Sequence, residues 1–173
     1  MSLNRRSLFL GSIPFVAFVS TVPARAQGIL SGLFGGTHFP TEPFAIDAAA
    51  AARAISDFRK LSGLVAVTVS STLMKVATTQ AKAMAEAGIM SHDVAGSFPT
   101  RLSAAGYAAA AAVENIAAGQ KSFAEVFGGW QKSPGHRENL LAPDVNQLGI
   151  AAYRGTGSKY GIYWSLALGS TRR

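Results

Sequence analysis

The chain contains no cysteine among its 173 residues. This absence excludes disulfide bonds, thiolate zinc sites, a cysteine-linked lipid anchor and cysteine nucleophiles. Charged residues are also sparse, at 14%, whereas hydrophobic residues make up 49%. Such a composition is typical of a domain with a packed core, and the length predicts a single domain. Because no disulfide is available, packing must stabilise the fold.

A strong surplus of positive charge is lacking as well. Basic residues outnumber acidic residues 16 to 9, but they form no cluster and do not alternate with aromatic residues. Three of them, Arg5, Arg6 and Arg25, lie in a predicted export signal, and without these three the balance is 13 to 9. This surplus is too small to predict nucleic-acid binding. It is compatible with attraction to anionic envelope material, so the predicted partner is a small ligand or an envelope component.

The first 26 residues have the three-part layout of an export signal. Arg5 and Arg6 precede an apolar run over residues 8–22, and Ala24-Arg25-Ala26 supplies a small-x-small cleavage site. The run contains Gly and Pro and is shorter than the ~20 residues of a spanning helix, so we predict cleavage after Ala26 and no permanent membrane span. The arginine pair indicates a twin-arginine signal, with a general secretory signal as the alternative. Either route predicts a periplasmic or extracellular protein.

Glycine and proline dominate residues 27–45, which predicts a flexible linker before a domain over residues 46–173. Apolar residues at helical spacing predict a first helix over residues 46–61. A second helix is predicted to begin at a serine cap at position 70 or 71 and to end at Gly88. Alternating valines between these helices, at positions 65, 67 and 69, predict a short strand.

The second half of the chain contains both helical and extended patterns. A short helix is predicted over residues 100–105. The alanine run over residues 108–112 suits a helix, but residues 113–117 equally suit a buried strand or an extended loop. Ser122 and Glu125 form a capping box for a further helix. Alternating apolar residues between 148 and 168 predict a terminal β-hairpin, and strands after a run of helices predict an α+β fold with an antiparallel sheet.

The stretch over residues 130–141 combines a tryptophan, Ser133-Pro134-Gly135, a histidine and an Asn-Leu-Leu segment that we expect to anchor the turn. Proline lacks the backbone N–H and glycine favours turns, so we predict that a helix ends before Pro134 and presents His136 in the following turn. Ser133 precedes His136 by three residues and invites a nucleophile–base interpretation. No nucleophile elbow or oxyanion loop accompanies the pair, which favours a turn residue.

Three ionisable side chains are the candidates for chemistry. His92 and His136 each follow a predicted helix end, whereas His38 falls in the predicted linker and is interpreted as a bystander. Glu114 lies in an apolar stretch, where a carboxylate needs a partner, and the two histidines are suitable. Two histidines and a glutamate are also a ligand set that zinc accepts, with a fourth position open to water. A hydrogen-bonded His/Glu cluster without a metal is the alternative, because the spacing lacks the short His-x-x-x-His step.

Short motifs in a fixed order extend over residues 46–169. They are Arg59-x-x-x-Gly63-Leu64, Leu73-x-x-x-Ala77-x-x-Gln80-Ala81-x-x-Met84-Ala85, His92, Gly106-Tyr107, Glu114-Asn115-Ile116-Ala117, Trp130-x-x-Ser133-Pro134-Gly135-His136-Arg137-x-Asn139-Leu140-Leu141, Leu148-Gly149-Ile150 and Tyr163-Trp164. In this order they resemble bacterial members of the CAP superfamily, the cysteine-rich secretory, antigen 5 and pathogenesis-related 1 proteins that share an SCP domain.

The resemblance implies an α–β–α sandwich with a central antiparallel sheet and an open cleft that holds two histidines and two acidic residues. His92 and His136 match the histidines and Glu114 matches the first acid. Ser133 stands where plant and animal members carry the second acid, which leaves a triad. Members of the family are linked to lipid or sterol binding, divalent metal binding, wall association and, in a few cases, proteolysis.

We therefore predict an exported, non-catalytic binding module. Its cleft residues His92, Glu114 and His136 are expected to hold zinc, another divalent cation, or a small lipid-like or envelope ligand, and no cofactor is required. One alternative is a metal-assisted hydrolase or peptidase in which Glu114 acts as general base on a water that the histidines position. A second alternative is a purely structural polar cluster that fixes three loops to the sheet.

Overall fold

The structure is a computed structural model that describes residues 37–172. The predicted export signal and residues 27–36 of the predicted linker lie outside this range. None of the helices within it is long and apolar enough to cross a membrane.

The first helix begins two residues after its predicted start, and the second begins at the serine cap that the sequence predicts. Helix α1 spans Ala48–Lys60 and helix α2 spans Ser71–Ala87. Asp47 and Ser70 cap them, because each side chain accepts a hydrogen bond from an N–H group of the first turn. Gly88 ends α2 in the left-handed conformation, with φ at 67°. The short helix predicted next is α3, which spans Phe98–Ala104.

The Ser-Pro-Gly stretch joins two helices, whereas the sequence predicted a helix and a turn. Helix α4 spans Phe123–Lys132 and helix α5 spans Pro134–Leu140, with Ser133 between them. The predicted helix end before Pro134 is confirmed. The predicted turn after it is wrong, because proline also begins helices: its missing N–H would have no partner in a first turn. His136 therefore lies in the first turn of α5.

One sheet runs through the domain. Its strands are β1 Thr41–Phe44, β2 Thr68–Val69, β3 Ala109–Ala118, β4 Gln147–Gly155 and β5 Ile162–Thr171. The order is β1-β4-β5-β3, and these four strands pair antiparallel. The two-residue strand β2 adds a parallel pairing at the start of β4. The predicted terminal hairpin is the β4–β5 pair, and β3 lies at the opposite edge from β1.

Two predicted boundaries differ from the structure. Strand β1 falls inside the predicted linker, so the domain begins before residue 46. Pro43 is tolerated because β1 is an edge strand with only β4 beside it. The valine alternation yields only the two residues of β2, because the Ser56 hydroxyl bonds both the N–H and the C=O of Val67, at 3.0 and 3.2 Å.

The alanine run forms part of strand β3, which decides between the alternatives that the sequence left open. Strand β3 pairs with β5 from Ala109 to Ala118. The helix preference of alanine is only a few tenths of a kcal/mol per residue. A full partner strand and helices on both sides outweigh that preference.

Helices cover both faces of the sheet, which confirms the α–β–α sandwich. One face packs against α1, α4 and α5, and its strand residues are Leu148, Ile150, Ala152, Ile162, Trp164, Leu166 and Leu168. The other face packs against α2 and α3, and its strand residues include Ile116, Ala151, Tyr163 and Ala167. Helix α2 approaches β4 so closely that a Cβ atom on Gly149 would lie 2.0 Å from the carbonyl carbon of Leu73.

Candidate functional site

Strand β3 places two neighbouring polar residues on opposite faces of the sheet. Glu114 lies opposite Ala167 and faces α2 and α3, whereas Asn115 lies opposite Leu166 and faces α4 and α5. Asn139 of α5 binds this edge, because its Nδ2 donates to the Glu114 carbonyl at 3.1 Å and to the Asn115 Oδ1 at 2.9 Å. The predicted anchoring role of the Asn-Leu-Leu segment is thereby confirmed.

Glu114 is buried, with 2% of its side chain exposed, and its carboxylate accepts four hydrogen bonds from three residues. Arg101 donates from Nη1 to Oε1 at 2.7 Å and from Nη2 to Oε2 at 2.9 Å, which is a bidentate pair. Oε1 also accepts from the Ser165 hydroxyl at 3.3 Å, and Oε2 lies 2.9 Å from the His92 Nδ1. Both carboxylate oxygens are therefore fully engaged within the protein.

His92 lies in the loop after α2, and this loop is held from two sides. Gln80 of α2 donates through Nε2 to the Ser91 carbonyl. Arg101 donates through Nη2 to the His92 carbonyl at 2.9 Å and through Nε to the Gly96 carbonyl at 3.1 Å. An ionised carboxylate only accepts, so the His92 Nδ1 carries the proton toward Glu114. The ring is 53% exposed, and its Nε2 has no hydrogen-bond partner between residues 37 and 172.

His136 is placed by α5 on the other side of the β3 edge. Its carbonyl accepts from the Asn115 Nδ2 at 2.9 Å, and its Nδ1 lies 2.9 Å from the Ser133 hydroxyl. Burial lowers the pKa of His136 below its ordinary value, and the nearby His92 lowers it further. His136 therefore favours the neutral imidazole, with no partner for Nε2 among the described residues.

A buried arginine holds the far end of α5. Arg59 of α1 is fully buried and donates to the carbonyls of Leu140, Ala142 and Val145 at 2.8 to 2.9 Å. Its Nε also donates to the Val65 carbonyl at 2.9 Å. Burial lowers the pKa of Arg59, although the guanidinium remains charged. The side chain fixes α5, and with it His136, to the first helix.

The structure brings the three predicted site residues to one edge of the sheet in unequal roles. His92 bonds directly to Glu114, whereas the His136 ring bonds to Ser133 and makes no hydrogen bond to either of the other two side chains. Within residues 37–172 no group of three or more His, Cys, Asp or Glu side chains is arranged to hold a metal ion. The predicted zinc ligation by all three residues stays a prediction.

Sequence reasoning missed Arg101, the main partner of Glu114. The apolar surroundings of Glu114 did indicate that a partner was needed, and the two histidines were named for that role. His92 is a partner, but His136 makes no hydrogen bond to the Glu114 side chain. Nothing in the local sequence of α3 marks Arg101, since one arginine in a short helix is ordinarily a surface residue.

A cavity of about 310 Å³ opens beside His136. It lies between α4 and the edge of β3, and Ser133, His136 and Gln120 are its polar lining residues. The apolar lining comes chiefly from Met90, Ile116, Ala117, Ala118, Val126 and Trp130. The cleft therefore offers an imidazole in the lining of a mainly apolar space.

The chain belongs to the cysteine-rich secretory protein family, CAP, whose family model matches residues 52–168. It is 33% identical over 94 residues to the uncharacterized protein YkwD of Bacillus subtilis strain 168. That alignment covers 53% of this chain and 37% of the relative's length.

Solved structures support the same fold. An outer surface protein from Borrelia burgdorferi superposes with a TM-score of 0.67 at 21% identity, covering 77% of this chain and all of that one. An extracellular protein containing an SCP domain from Bacillus anthracis strain Ames superposes with a TM-score of 0.60 at 24% identity, covering 75% of this chain and 45% of that one. At these identities the likeness establishes the fold.

Proposed function

We propose that the protein is an exported, non-catalytic binding domain whose cleft presents two imidazoles, that of His92 held by Glu114 and that of His136 held by Ser133. The observation that carries this proposal is that Nδ1 of each histidine is held by a protein group while Nε2 is left without a described partner. Two similar structures come from proteins described as outer-surface and extracellular, which supports the predicted export signal. The location is accordingly periplasmic or extracellular.

The donor set fits a divalent cation in part. Imidazole nitrogens are common zinc ligands, and a carboxylate behind a ligating histidine fixes its orientation. His92 and His136 would hold the ion through Nε2, and Glu114 would support His92 without touching the metal, because its oxygens already accept four hydrogen bonds. The remaining positions would fall to water or to a bound ligand.

The mainly apolar cavity beside His136 supports a small ligand with an apolar part. Such sites combine an apolar lining with a few polar groups that fix orientation. The lipid-like ligand predicted from the family resemblance suits this lining, as does a hydrophobic envelope component.

Hydrolysis is less well supported than binding. A general base needs a free lone pair, and both oxygens of Glu114 are occupied by donors. One observation favours turnover, the 2.9 Å contact between the Ser133 hydroxyl and the His136 Nδ1. No acidic side chain among the described residues bonds to the other nitrogen of His136, so this pair lacks the third member that orients a catalytic imidazole.

Zinc titration by calorimetry at pH 7.5 tests the metal part of the proposal. The wild type should bind zinc, His92→Ala and His136→Ala should each abolish the heat, and Glu114→Gln should weaken binding by about 10- to 100-fold as a supporting residue does. His38→Ala is the matched control, because this histidine lies outside the cleft. An unchanged zinc heat in His136→Ala would contradict the proposal.

Turnover assays separate the binding domain from a hydrolase. Peptide and ester libraries should give the same background rate with the wild type, Ser133→Ala and Glu114→Gln, with or without chelator. A rate that only the wild type shows would replace binding with catalysis. If His92→Ala lowers stability strongly while zinc and apolar ligands bind neither variant nor wild type, the cluster is a structural brace.

A further inference from the structure

A second cavity, separate from the cleft, lies between α2 and α3. Its volume is about 300 Å³, at the lower end of the range for small-molecule sites. The residues that line it are Lys75, Val76 and Thr79 from α2, Ala95 from the intervening loop, and Thr100, Arg101, Ala104 and Ala105 from α3 and its end. Two cationic side chains and no Asp or Glu belong to this lining.

Both side chains retain a donor for an anion, although only the charge of Lys75 is unpaired, because Glu114 balances that of Arg101. Lys75 makes no ion pair with any residue from 37 to 172. Arg101 is 4% exposed, and four of its five N–H groups donate to Glu114, His92 and Gly96. The remaining Nη1–H has no acceptor in the described part of the chain. A buried donor without an acceptor favours a ligand that supplies one.

The rest of the lining is small and apolar. Val76 is 1% exposed and forms part of the core, and the three alanines leave the space open. An inorganic ion would leave this apolar surface uncovered. A ligand with one anionic end and a short apolar part matches both halves of the lining.

We propose that this cavity binds a small organic carboxylate, with the Lys75 ammonium and the free Nη1–H of Arg101 as its donors. The source of the carboxylate is either a free short-chain acid or the C-terminus of a peptide. This site lies outside the cleft and does not depend on the proposed function. Because Arg101 also holds the loop that carries His92, occupancy of the cavity should be sensed in that loop.

A titration followed by two-dimensional amide NMR of the ¹⁵N-labelled full chain tests the proposal. The probes are butyrate, its uncharged counterpart butyramide, and a short peptide ending in leucine with either a free or an amidated C-terminus. Butyrate or the free-acid peptide should give saturable shifts at Lys75, Thr79 and Ala104 and in the loop from His92 to Gly96. Butyramide and the amidated peptide should give no such shifts. Whichever of butyrate and the free-acid peptide binds more tightly identifies the source of the carboxylate.

Three variants locate the binding. Lys75→Gln should raise the Kd by about tenfold, as expected for loss of one charge-assisted hydrogen bond. Ala104→Leu should block the cavity without changing any charge, and Lys82→Gln is the control on the same helix, outside the cavity. The absence of saturable shifts at tens of millimolar butyrate and peptide would overturn the proposal. The proposal would be overturned as well if Lys75→Gln and Ala104→Leu bound the probes as tightly as the wild type does.

Discussion

The ion pair between Arg101 and Glu114 should stabilise the fold mainly by neutralising a buried charge. Replacing Arg101 with methionine keeps an unbranched apolar side chain in α3 but removes both hydrogen bonds to the carboxylate. Glu114, with 2% of its side chain exposed, would then face only the His92 ring and the Ser165 hydroxyl. Removing one partner of a buried pair typically destabilises a protein by about 3–5 kcal/mol.

The cost of protonating Glu114 gives a similar estimate of the destabilisation and makes it depend on pH. The variant can escape the unpaired charge by folding with a protonated carboxyl group. Protonating a glutamate with the reference pKa of ~4.3 costs about 3.7 kcal/mol of free energy at pH 7 and about 1 kcal/mol at pH 5. The destabilisation by Arg101→Met should therefore be about 3–4 kcal/mol at pH 7 and should shrink toward about 1 kcal/mol at pH 5.

Urea unfolding of the full chain at both pH values measures this effect. With an m-value of about 2 kcal/mol per molar urea, the midpoint should fall by about 1.5–2 M at pH 7. The double variant Arg101→Met/Glu114→Gln should recover the part of the loss that comes from the unpaired charge, whereas the hydrogen bonds from Arg101 to the His92 and Gly96 carbonyls stay lost in both variants. Arg154→Met is the control, since its pair with Glu42 is solvent-exposed and worth less than about 1 kcal/mol. A loss that is equal at both pH values, or not recovered by the double variant, would refute the charge argument.

Four further substitutions test other parts of the fold by urea unfolding. Gly149→Ala should destabilise the protein by about 1–3 kcal/mol or more, because its Cβ would meet the backbone of α2 at 2.0 Å. In Gly128→Ala, within α4, the new Cβ meets no atom, and the variant should be more stable by about 0.5–1 kcal/mol. Because the pKa of His136 is lowered in the fold, the unfolded chain binds more protons just below pH ~6.5, so stability should fall with acidification there and His136→Gln should lose that share of the dependence. Arg59→Met should destabilise by at least about 3 kcal/mol, because four carbonyl groups lose a charged donor.

The sequence predicted those elements whose signals are local. Helices α1 and α2 begin at serine or aspartate caps, and the left-handed glycine that ends α2 was named in advance. For strand β3 the sequence left a helix, a strand and an extended loop open, because alanine is a helix former by local preference, and only the pairing with β5 makes the segment extended. Strand β1 was not predicted, because its extended conformation comes from the pairing with β4 and not from the residues of the strand.

In the candidate site, too, the sequence predicted the residues better than their contacts. His92, Glu114 and His136 were found because their residue types and their order resemble a known family, and the structure places all three at the β3 edge. The sequence indicated the histidines as partners of Glu114, and His92 is one of them. The main partner was not predictable, because its hydrogen bonds join residues that are distant in sequence. Arg101 lies 13 positions before Glu114 on a different element, and only the packing of α3 against β3 brings the two side chains together.

The Arg101 pair also determines what kind of cleft the proposed binding domain presents. A carboxylate that faced the cleft unpaired would attract a divalent cation directly. In this chain the charge of Glu114 is balanced by Arg101, and Ser133, which the family resemblance places at the position of a second acid, carries no charge. As ligands, two imidazoles beside an apolar cavity would leave the charge of a bound cation unneutralised. An anionic ligand that bound together with the cation would therefore be attracted more strongly to this cleft than to a cleft with two free carboxylates.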